Sequence, residues 1–194
     1  AQQNATIAHW SSRPGNVPSP ESAHHGSGRC ATRHLSTSHR PMRPILVTTP
    51  TGQIGARVTE RLLAAGVPTR VFVRDPARLA PAVRAQAEVH TGSLDDVDAV
   101  AGALAGTAAA FLLVPPNYTA DDWAATYRRF GATAAEAVRR SETSRVVFLS
   151  SQGAHRDDLG PVSWLGEIEE ALRDAAPDVV ALRPAYFFEN TFAA

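Results

Sequence analysis

Lysine is absent from this chain of 194 residues, because all nineteen basic residues are arginine. The absence excludes three sites that need a lysine amine, namely a P-loop, a Schiff base and a Tyr-x-x-x-Lys proton relay. Cysteine occurs once, at Cys30, which excludes a disulfide framework and a zinc site built from cysteines. Long apolar runs are also missing, since the longest, from Thr107 to Pro116, is too short to cross a bilayer.

Excess charge of either sign is missing as well. Nineteen acidic residues balance the arginines, and the formal net charge is zero. We therefore expect neither a nucleic acid nor a membrane as a partner, and we expect a cytoplasmic protein. With 44% hydrophobic residues, the chain can bury one good core or form one domain with a tail.

Residues 1–41 differ in composition from the rest. They hold five of the seven histidines and the single cysteine, and they contain hardly any aliphatic side chain. Such a segment cannot build a core, so we expect a disordered extension followed by one domain at 42–194, which begins at the only methionine, Met42. A translated leader and an organelle transit peptide both fit the extension. Its histidines match no zinc spacing, and we predict no metal site.

The most informative stretch runs from Ile45 to Gly55, with the sequence ILVTTPTGQIG. It is typical of a buried strand, a turn and the start of a helix, which suits a phosphate. A G-x-x-G-x-x-G dinucleotide fingerprint would fall on Thr49, Gly52 and Gly55, so its first glycine is missing. We expect extended backbone at Thr49, because Pro50 follows it. Two glycines leave a nucleotide site and an ordinary turn both open.

Strands and helices are predicted to alternate along the rest of the domain. Beyond the first strand, the predicted strands are 69–73, 87–90, 108–114, 145–150 and 178–182. Between them, the predicted helices are 54–65, a short helix from Asp75 that carries Leu79 and Val83, 95–104, 121–140 and 162–174. Strict alternation with apolar strands predicts an α/β fold with a doubly wound, Rossmann-like parallel sheet of six strands.

The carboxyl ends of the strands should surround one crevice. Residues 49–54, 74, 114–116 and 150–152 follow strands one, two, four and five. Arg74 stands where a site for NAD usually has an acid, and a guanidinium there can hold a 2′-phosphate. Asp75 precedes Pro76, and we expect its carboxylate to cap a helix. We therefore favour NADP(H) over NAD(H); the alternative is that Arg74 is a solvated surface residue.

Seven segments carry a family resemblance. In order, they are TPTGQIG, VFVRDPARL, TGSLDD, FLLVPP, VVFLSS, GEIEEAL and LRPAYFFEN. From Met42 onwards the chain resembles the NmrA-like family, atypical members of the short-chain dehydrogenase/reductase superfamily. The resemblance implies NAD(P) binding, often of NADPH. Some members reduce quinones or azo compounds, which implies a small-molecule substrate, and others are redox-sensing regulators that imply a protein partner.

The resemblance also implies which residues contact the cofactor. The pyrophosphate loop falls on Thr49, Thr51, Gly52, Gln53 and Ile54, the 2′-phosphate contact on Arg74, the adenine wall on Ser93 and Leu94, and the ribose and nicotinamide side on Val114 and Pro115. This chain departs from the family at Thr49, which replaces a glycine, and at Ser93, where the family often has aspartate. Family members usually continue past Asn190 into a substrate-binding region, so we expect a truncated C-terminal region here.

No catalytic residue can be assigned. The superfamily's Tyr-x-x-x-Lys would fall within 164–169, which contains neither residue type. Tyr118 and Tyr186 are candidate proton donors, although packing is the favoured interpretation of both. A triad of Ser150, His155 and Asp157 would need three residues of one loop to converge, so a solvated loop is favoured.

Three functions remain open from the sequence. The first is an NADPH-dependent oxidoreductase for a quinone-like or similar small acceptor. The second is a non-catalytic sensor that binds NAD(P) and reports redox state to a partner. The third is a truncated fragment that has the fold and no activity.

Overall fold

A computed structural model describes residues 42–115, 119–185 and 187 of the chain. Their sheet has six strands in the order β3-β2-β1-β4-β5-β6, and every neighbouring pair is parallel. The strands are β1 (Ile45–Thr48), β2 (Thr69–Val73), β3 (Glu88–Thr91), β4 (Ala109–Leu113), β5 (Arg145–Leu149) and β6 (Asp178–Leu182). The predicted Rossmann-like sheet is confirmed. The expected extension at 1–41, Pro116 and both candidate tyrosines, Tyr118 and Tyr186, lie outside the described residues.

Five α-helices and one 3₁₀ turn connect the strands within the described ranges. They are α1 (Gln53–Ala64), the 3₁₀ turn Pro76–Arg78, α2 (Pro81–Gln86), α3 (Val97–Leu104), α4 (Trp123–Ser141) and α5 (Pro161–Ala175). The prediction of a single short helix after β2 was wrong. Ala80 is extended, with φ −55° and ψ 138°, because it precedes Pro81, and the proline begins a separate helix.

Aspartate side chains set the starts of three of these elements. The Asp75 carboxylate accepts a hydrogen bond of 2.9 Å from the backbone N–H of Ala77, which confirms the predicted cap. Asp96 and Asp122 cap α3 and α4 in the same way. Each carboxylate satisfies a backbone donor that the helix cannot satisfy internally.

Helices cover the sheet on both faces. On one face α3, α4 and α5 bury an extended core that includes Leu46, Phe72, Leu112 and Phe148. On the other face Val71 and Val73 of β2 belong to a smaller cluster with Leu63 of α1 and Leu79 and Val83 of the following segment. This two-sided burial explains why the strands are apolar without alternation. None of the described helices is long and apolar enough to cross a membrane.

Candidate functional site

The strand order places the candidate site above β1. The chain runs from β1 outward to β2 and β3, then crosses to β4 on the other side of β1. Loops that follow β1, β2 and β4 therefore meet at the carboxyl edge, where parallel sheets leave a crevice. A cleft of about 480 Å³ lies there. Its lining residues are Thr49, Thr51, Gly52, Phe72, Val73, Arg74, Asp75, Arg78, Gly92, Leu94 and Pro115.

The turn after β1 differs from the prediction at Thr49. Its φ is 52°, in the left-handed region, whereas extended backbone was expected from Pro50. The N–H of Gly52 donates to the Thr49 carbonyl at 3.0 Å, and this bond closes the tight turn that leads into α1. The turn therefore overrides the local restriction from the proline. Left-handed backbone at a β-branched residue costs about 1–3 kcal/mol, so Thr49 is strained.

Gly55 packs directly against the carbonyl group of Thr49 in that turn. A Cβ on Gly55 would overlap the carbonyl oxygen of Thr49 and would lie 2.8 Å from its carbonyl carbon. Only glycine lets α1 approach the turn this closely. The missing first glycine of the fingerprint thus does not prevent the tight turn, because Thr49 adopts the conformation that glycine would have.

The N-terminus of α1 has the properties of an anion site. Its N-cap residue, Gly52, provides no side-chain hydrogen bond, and its first turn contains no acidic residue. The first backbone N–H groups of the helix and the positive end of its dipole are therefore free of a protein carboxylate. Aspartates occupy the corresponding position in α3 and α4, whereas α2 and α5 lack a capping carboxylate as α1 does. Of these three helices, α1 is the one whose N-cap residue lines the cleft. A phosphate group fits the start of α1.

Thr49 also carries a buried polar atom without a partner. Its Oγ1 is shielded from solvent and makes no hydrogen bond to any described residue. Two other buried threonines, one in β1 and one in α1, are satisfied, since Thr48 donates to the carbonyl of Phe111 at 3.2 Å and Thr59 to that of Gly55 at 2.8 Å. A buried hydroxyl without a partner is uncommon and costs about 1–3 kcal/mol.

Two arginines line the same cleft from the segment after β2. Arg74 was predicted here, and Arg78 was not. Asp75 lies between them, but its Oδ1 accepts from Ala77, so the carboxylate caps the 3₁₀ turn as expected. The turn places Arg78 in the same cleft as Arg74, and a four-residue spacing across a capped turn is the signal that could have identified it. Both arginines are exposed, and their positive charge suits a phosphate.

A second cleft of about 360 Å³ continues the first. The two share Arg74, Leu94 and Pro115. The second is also lined by Ser93, Asp95, Val114, Thr119, Thr126, Arg129 and Phe130. An ion pair of 3.0 Å joins Arg129 on α4 to Asp95 after β3, so it connects two walls of this cleft.

Most of the predicted contact residues are brought together by the structure. Eight of the ten line one or both clefts, namely Thr49, Thr51, Gly52, Arg74, Ser93, Leu94, Val114 and Pro115. Gln53 and Ile54 do not line either cleft, because they already belong to the first turn of α1. Besides Arg78, sequence reasoning missed Thr126, Arg129 and Phe130, which reach the second cleft from a helix distant in sequence.

Residues 150–152 were expected in the same crevice, and they are not among the residues that line the two clefts. Ser150 is buried, and its Oγ donates to Oε1 of Glu169 at 2.5 Å. Arg183 donates to both oxygens of this carboxylate, from Nε at 2.9 Å and Nη2 at 2.5 Å, and Arg173 donates at 2.7 Å. Glu169 is fully buried.

Glu169 lies at the end of segment 164–169, within which the sequence predicted the superfamily's Tyr-x-x-x-Lys to fall. Burial alone would raise its pKa, but hydrogen bonds from Arg183, Ser150 and Arg173 outweigh burial and lower the pKa from 4.5 to about 2. The carboxyl group is therefore ionised at neutral pH and cannot donate a proton. The hydroxyl of Ser150 is already engaged by it.

The triad of Ser150, His155 and Asp157 that the sequence analysis considered does not form in the structure. His155 and Asp157 line a third cleft of about 290 Å³ beside α4 and α5, together with Arg128 and Trp164. Ser150 is not among its lining residues, because its hydroxyl points to Glu169. The described residues contain no group of three His, Cys, Asp or Glu side chains that could hold a metal ion.

A known protein family matches the part of the chain that forms these clefts. The profile of a family described as NAD(P)H-binding matches residues 50–191, which is most of the chain. The chain belongs to the NAD(P)H-binding family. The match begins in the turn after β1 and therefore includes the whole of both clefts except Thr49. A search of curated proteins finds no match.

Several solved structures share this fold. Triphenylmethane reductase from Citrobacter sp., complexed with NADP(H), is 22% identical with a TM-score of 0.67, over 76% of this chain and 51% of that one. NADPH-dependent quinone oxidoreductase from Escherichia coli, complexed with NADPH, is 27% identical with a TM-score of 0.64, over 77% and 51%. A nucleoside-diphosphate-sugar epimerase from Staphylococcus aureus is 16% identical with a TM-score of 0.65, over 76% and 52%.

The family resemblance seen in the sequence is confirmed. The family profile confirms the NAD(P) binding that the resemblance implied, and the solved structures confirm the Rossmann-like fold. The chain spans about half the length of the solved structures that it matches.

Proposed function

We propose that this protein is an NADPH-dependent oxidoreductase that binds NADPH along the two adjoining clefts and reduces a quinone-like or similar small acceptor. The observation that carries the cofactor preference is the placement of Arg74 and Arg78 in the cleft that also contains Gly52. A 2′-phosphate gives two guanidinium groups a dianionic partner, whereas NADH leaves them without one. The preference for NADPH over NADH follows.

The shape of the groove supports an order for the cofactor. In this proposal the diphosphate faces Thr49, Thr51 and Gly52, with backbone N–H groups supplied by Gln53 and Ile54 at the start of α1. The other assigned residues follow the groove, with Arg74 and Arg78 at the 2′-phosphate, Ser93 and Leu94 at the adenine, and Val114 and Pro115 toward the nicotinamide. The clefts share lining residues, which gives an elongated ligand a continuous path.

The acceptor class comes from the similar structures. The Escherichia coli protein is a quinone oxidoreductase, and the Citrobacter protein reduces triphenylmethane dyes. NADPH supplies the hydride when it is bound, and the residues of this chain hold and orient it. The proposal keeps the cytoplasmic location that the sequence suggested.

A second function is favoured by a specific observation, namely the residue types at the groove. Among the described residues that line the two clefts there is no tyrosine, histidine or lysine. Ser150 and Glu169, near the usual proton relay, are bound to each other. These features support a non-catalytic sensor that binds NADPH and signals to a regulatory protein partner.

The test uses the full chain and follows NADPH oxidation with benzoquinones, naphthoquinones and an azo dye. The proposal predicts turnover that falls at least tenfold at low NADPH in Arg74→Ala and stays unchanged in Arg139→Ala, a variant of an exposed arginine on α4 that pairs with Glu136. Binding of NADPH without turnover of any acceptor would favour the sensor. A chain that binds no dinucleotide at all would refute both.

A further inference from the structure

We propose that the Thr49 hydroxyl is a hydrogen-bonding group for the adenosine diphosphate half of NADPH, and that this side chain increases cofactor affinity at the expense of stability. The inference rests on the proposed binding site. It assigns a role to the residue at which this chain departs from the glycine fingerprint.

The backbone at Thr49 gives the first reason. With φ at 52°, the residue holds a conformation that glycine adopts without strain and that a β-branched residue adopts only when its surroundings force it. The turn needs this conformation, because Gly52 bonds to the Thr49 carbonyl and Gly55 packs against it. Glycine would satisfy the fold better than threonine. What threonine adds is a methyl group and a hydroxyl.

The state of that hydroxyl gives the second reason. Among the described residues, two buried side-chain polar atoms lack a hydrogen bond, Oγ1 of Thr49 and Nε of Arg70. Arg70 has an ionic partner, since its Nε lies 2.9 Å from Oε2 of Glu88. The Thr49 hydroxyl is thus the one such atom in the described chain without any polar partner. A ligand oxygen would satisfy it.

The position of the residue indicates which part of the cofactor is involved. Thr49 lines the first cleft beside Thr51 and Gly52, and Arg74 and Arg78 line the same cleft. Oxygen-rich groups of the cofactor, the diphosphate and the adenosine ribose, are the ones that belong between a helix start and the arginines. The main chain of Thr49 is held by the turn, while rotation about χ1 moves the hydroxyl among three staggered positions. In this proposal the hydroxyl turns about χ1 toward a bound oxygen while the loop stays in place.

Three substitutions separate the hydroxyl from the strain. Thr49→Val keeps the branched shape and removes the hydroxyl, Thr49→Ser keeps the hydroxyl and removes the branch, and Thr49→Gly removes both. Each variant of the full chain is examined by thermal unfolding without ligand and by titration with NADPH and with 2′-phospho-ADP-ribose, which lacks the nicotinamide.

Affinity and stability should change in opposite directions. We expect Thr49→Gly to raise the unfolding midpoint of the ligand-free protein by about 3 °C, since it relieves strain and removes an unsatisfied hydroxyl. We expect the same variant and Thr49→Val to bind both ligands about tenfold more weakly, a loss of about 1.4 kcal/mol. Thr49→Ser should stay within about threefold of the wild type.

The outcomes are distinct from those that test the proposed function. If Thr49→Gly and Thr49→Val bind both ligands as tightly as the wild type while Arg74→Ala loses its preference for NADPH, the site stands and the role of Thr49 is refuted. Weaker binding of NADPH alone, with 2′-phospho-ADP-ribose unaffected, would also overturn the assignment to the adenosine half. If the wild type binds neither ligand, the binding site and this inference fall together.

Discussion

Replacing Glu169 with glutamine should remove a large part of the stability of this domain. The carboxylate is fully buried and accepts hydrogen bonds from Ser150, Arg173 and Arg183. Lowering its pKa from 4.5 to about 2 corresponds to about 3 kcal/mol at neutral pH, at roughly 1.4 kcal/mol for each pKa unit. Domains of this kind have about 5–15 kcal/mol in total, so the loss should be easy to measure.

The loss should stay below the cost of a truncation that leaves a charge wholly buried. Arg183 and Arg173 are 38% and 47% exposed, so their charges can return to water when the carboxylate is gone. Truncations that leave a charge wholly buried cost about 3–5 kcal/mol, which is an upper limit here. Glu167→Gln on the same helix is the matched control. Its carboxylate is exposed and pairs with Arg128, so we expect a loss of about 0.5 kcal/mol or less.

The pH dependence provides an independent test of the same contact. A carboxyl whose pKa is lowered by folding stabilises the protein fully above its unfolded pKa, and this stabilisation disappears as the pH falls through the folded pKa. For Glu169 the window runs from about pH 5 down to about pH 2. Urea unfolding across this range should show a steeper loss in the wild type than in Glu169→Gln. Equal stability at pH 7, or parallel pH profiles, would refute the reasoning.

Other substitutions test separate parts of the structure by urea unfolding. Gly55→Ala should cost about 1–3 kcal/mol, because its Cβ would overlap the Thr49 carbonyl. Gly102→Ala, in α3 with open space around it, should instead gain about 0.5–1 kcal/mol, and an equal loss at both sites would contradict the packing argument. Arg70→Met should cost about 2–4 kcal/mol, since the guanidinium donates two bonds of 2.7 Å to carbonyls at the end of α3. Arg139→Ala is its exposed control, and a similar loss there would refute that account.

The fold was predictable because local signals and burial agree along the chain. Apolar runs of strand length alternate with amphipathic helices, and parallel pairing follows from the connections. Asp75 before Pro76 is a complete local signal, since the cap and the first helical residue are adjacent in sequence. The placement of Arg74 at the crevice was also predictable from local sequence, because this residue directly follows β2.

The features that were missed depend on contacts between distant residues. Local restriction by Pro50 favours extended backbone at Thr49, and packing of the turn against Gly55 overrides it. Arg78 enters the cleft through a folded turn rather than directly from a strand end. In the sequence, Glu169 is one of several acidic residues on a predicted helix. Its burial and its contact with Arg183 become apparent only in the folded structure.

The central claim is that Arg74 and Arg78 make this groove an NADPH site. The most direct measurement titrates the full chain with NADPH and with NADH, followed by energy transfer from tryptophan to the nicotinamide. We expect NADPH to bind at least about tenfold more tightly, a difference of about 1.4 kcal/mol, and we expect Arg74→Ala and Arg78→Ala to reduce that preference. Arg84→Ala, an exposed arginine of α2 that does not line the cleft, should leave it unchanged. Equal affinity for the two cofactors, or a preference that survives the loss of both arginines, would contradict the account.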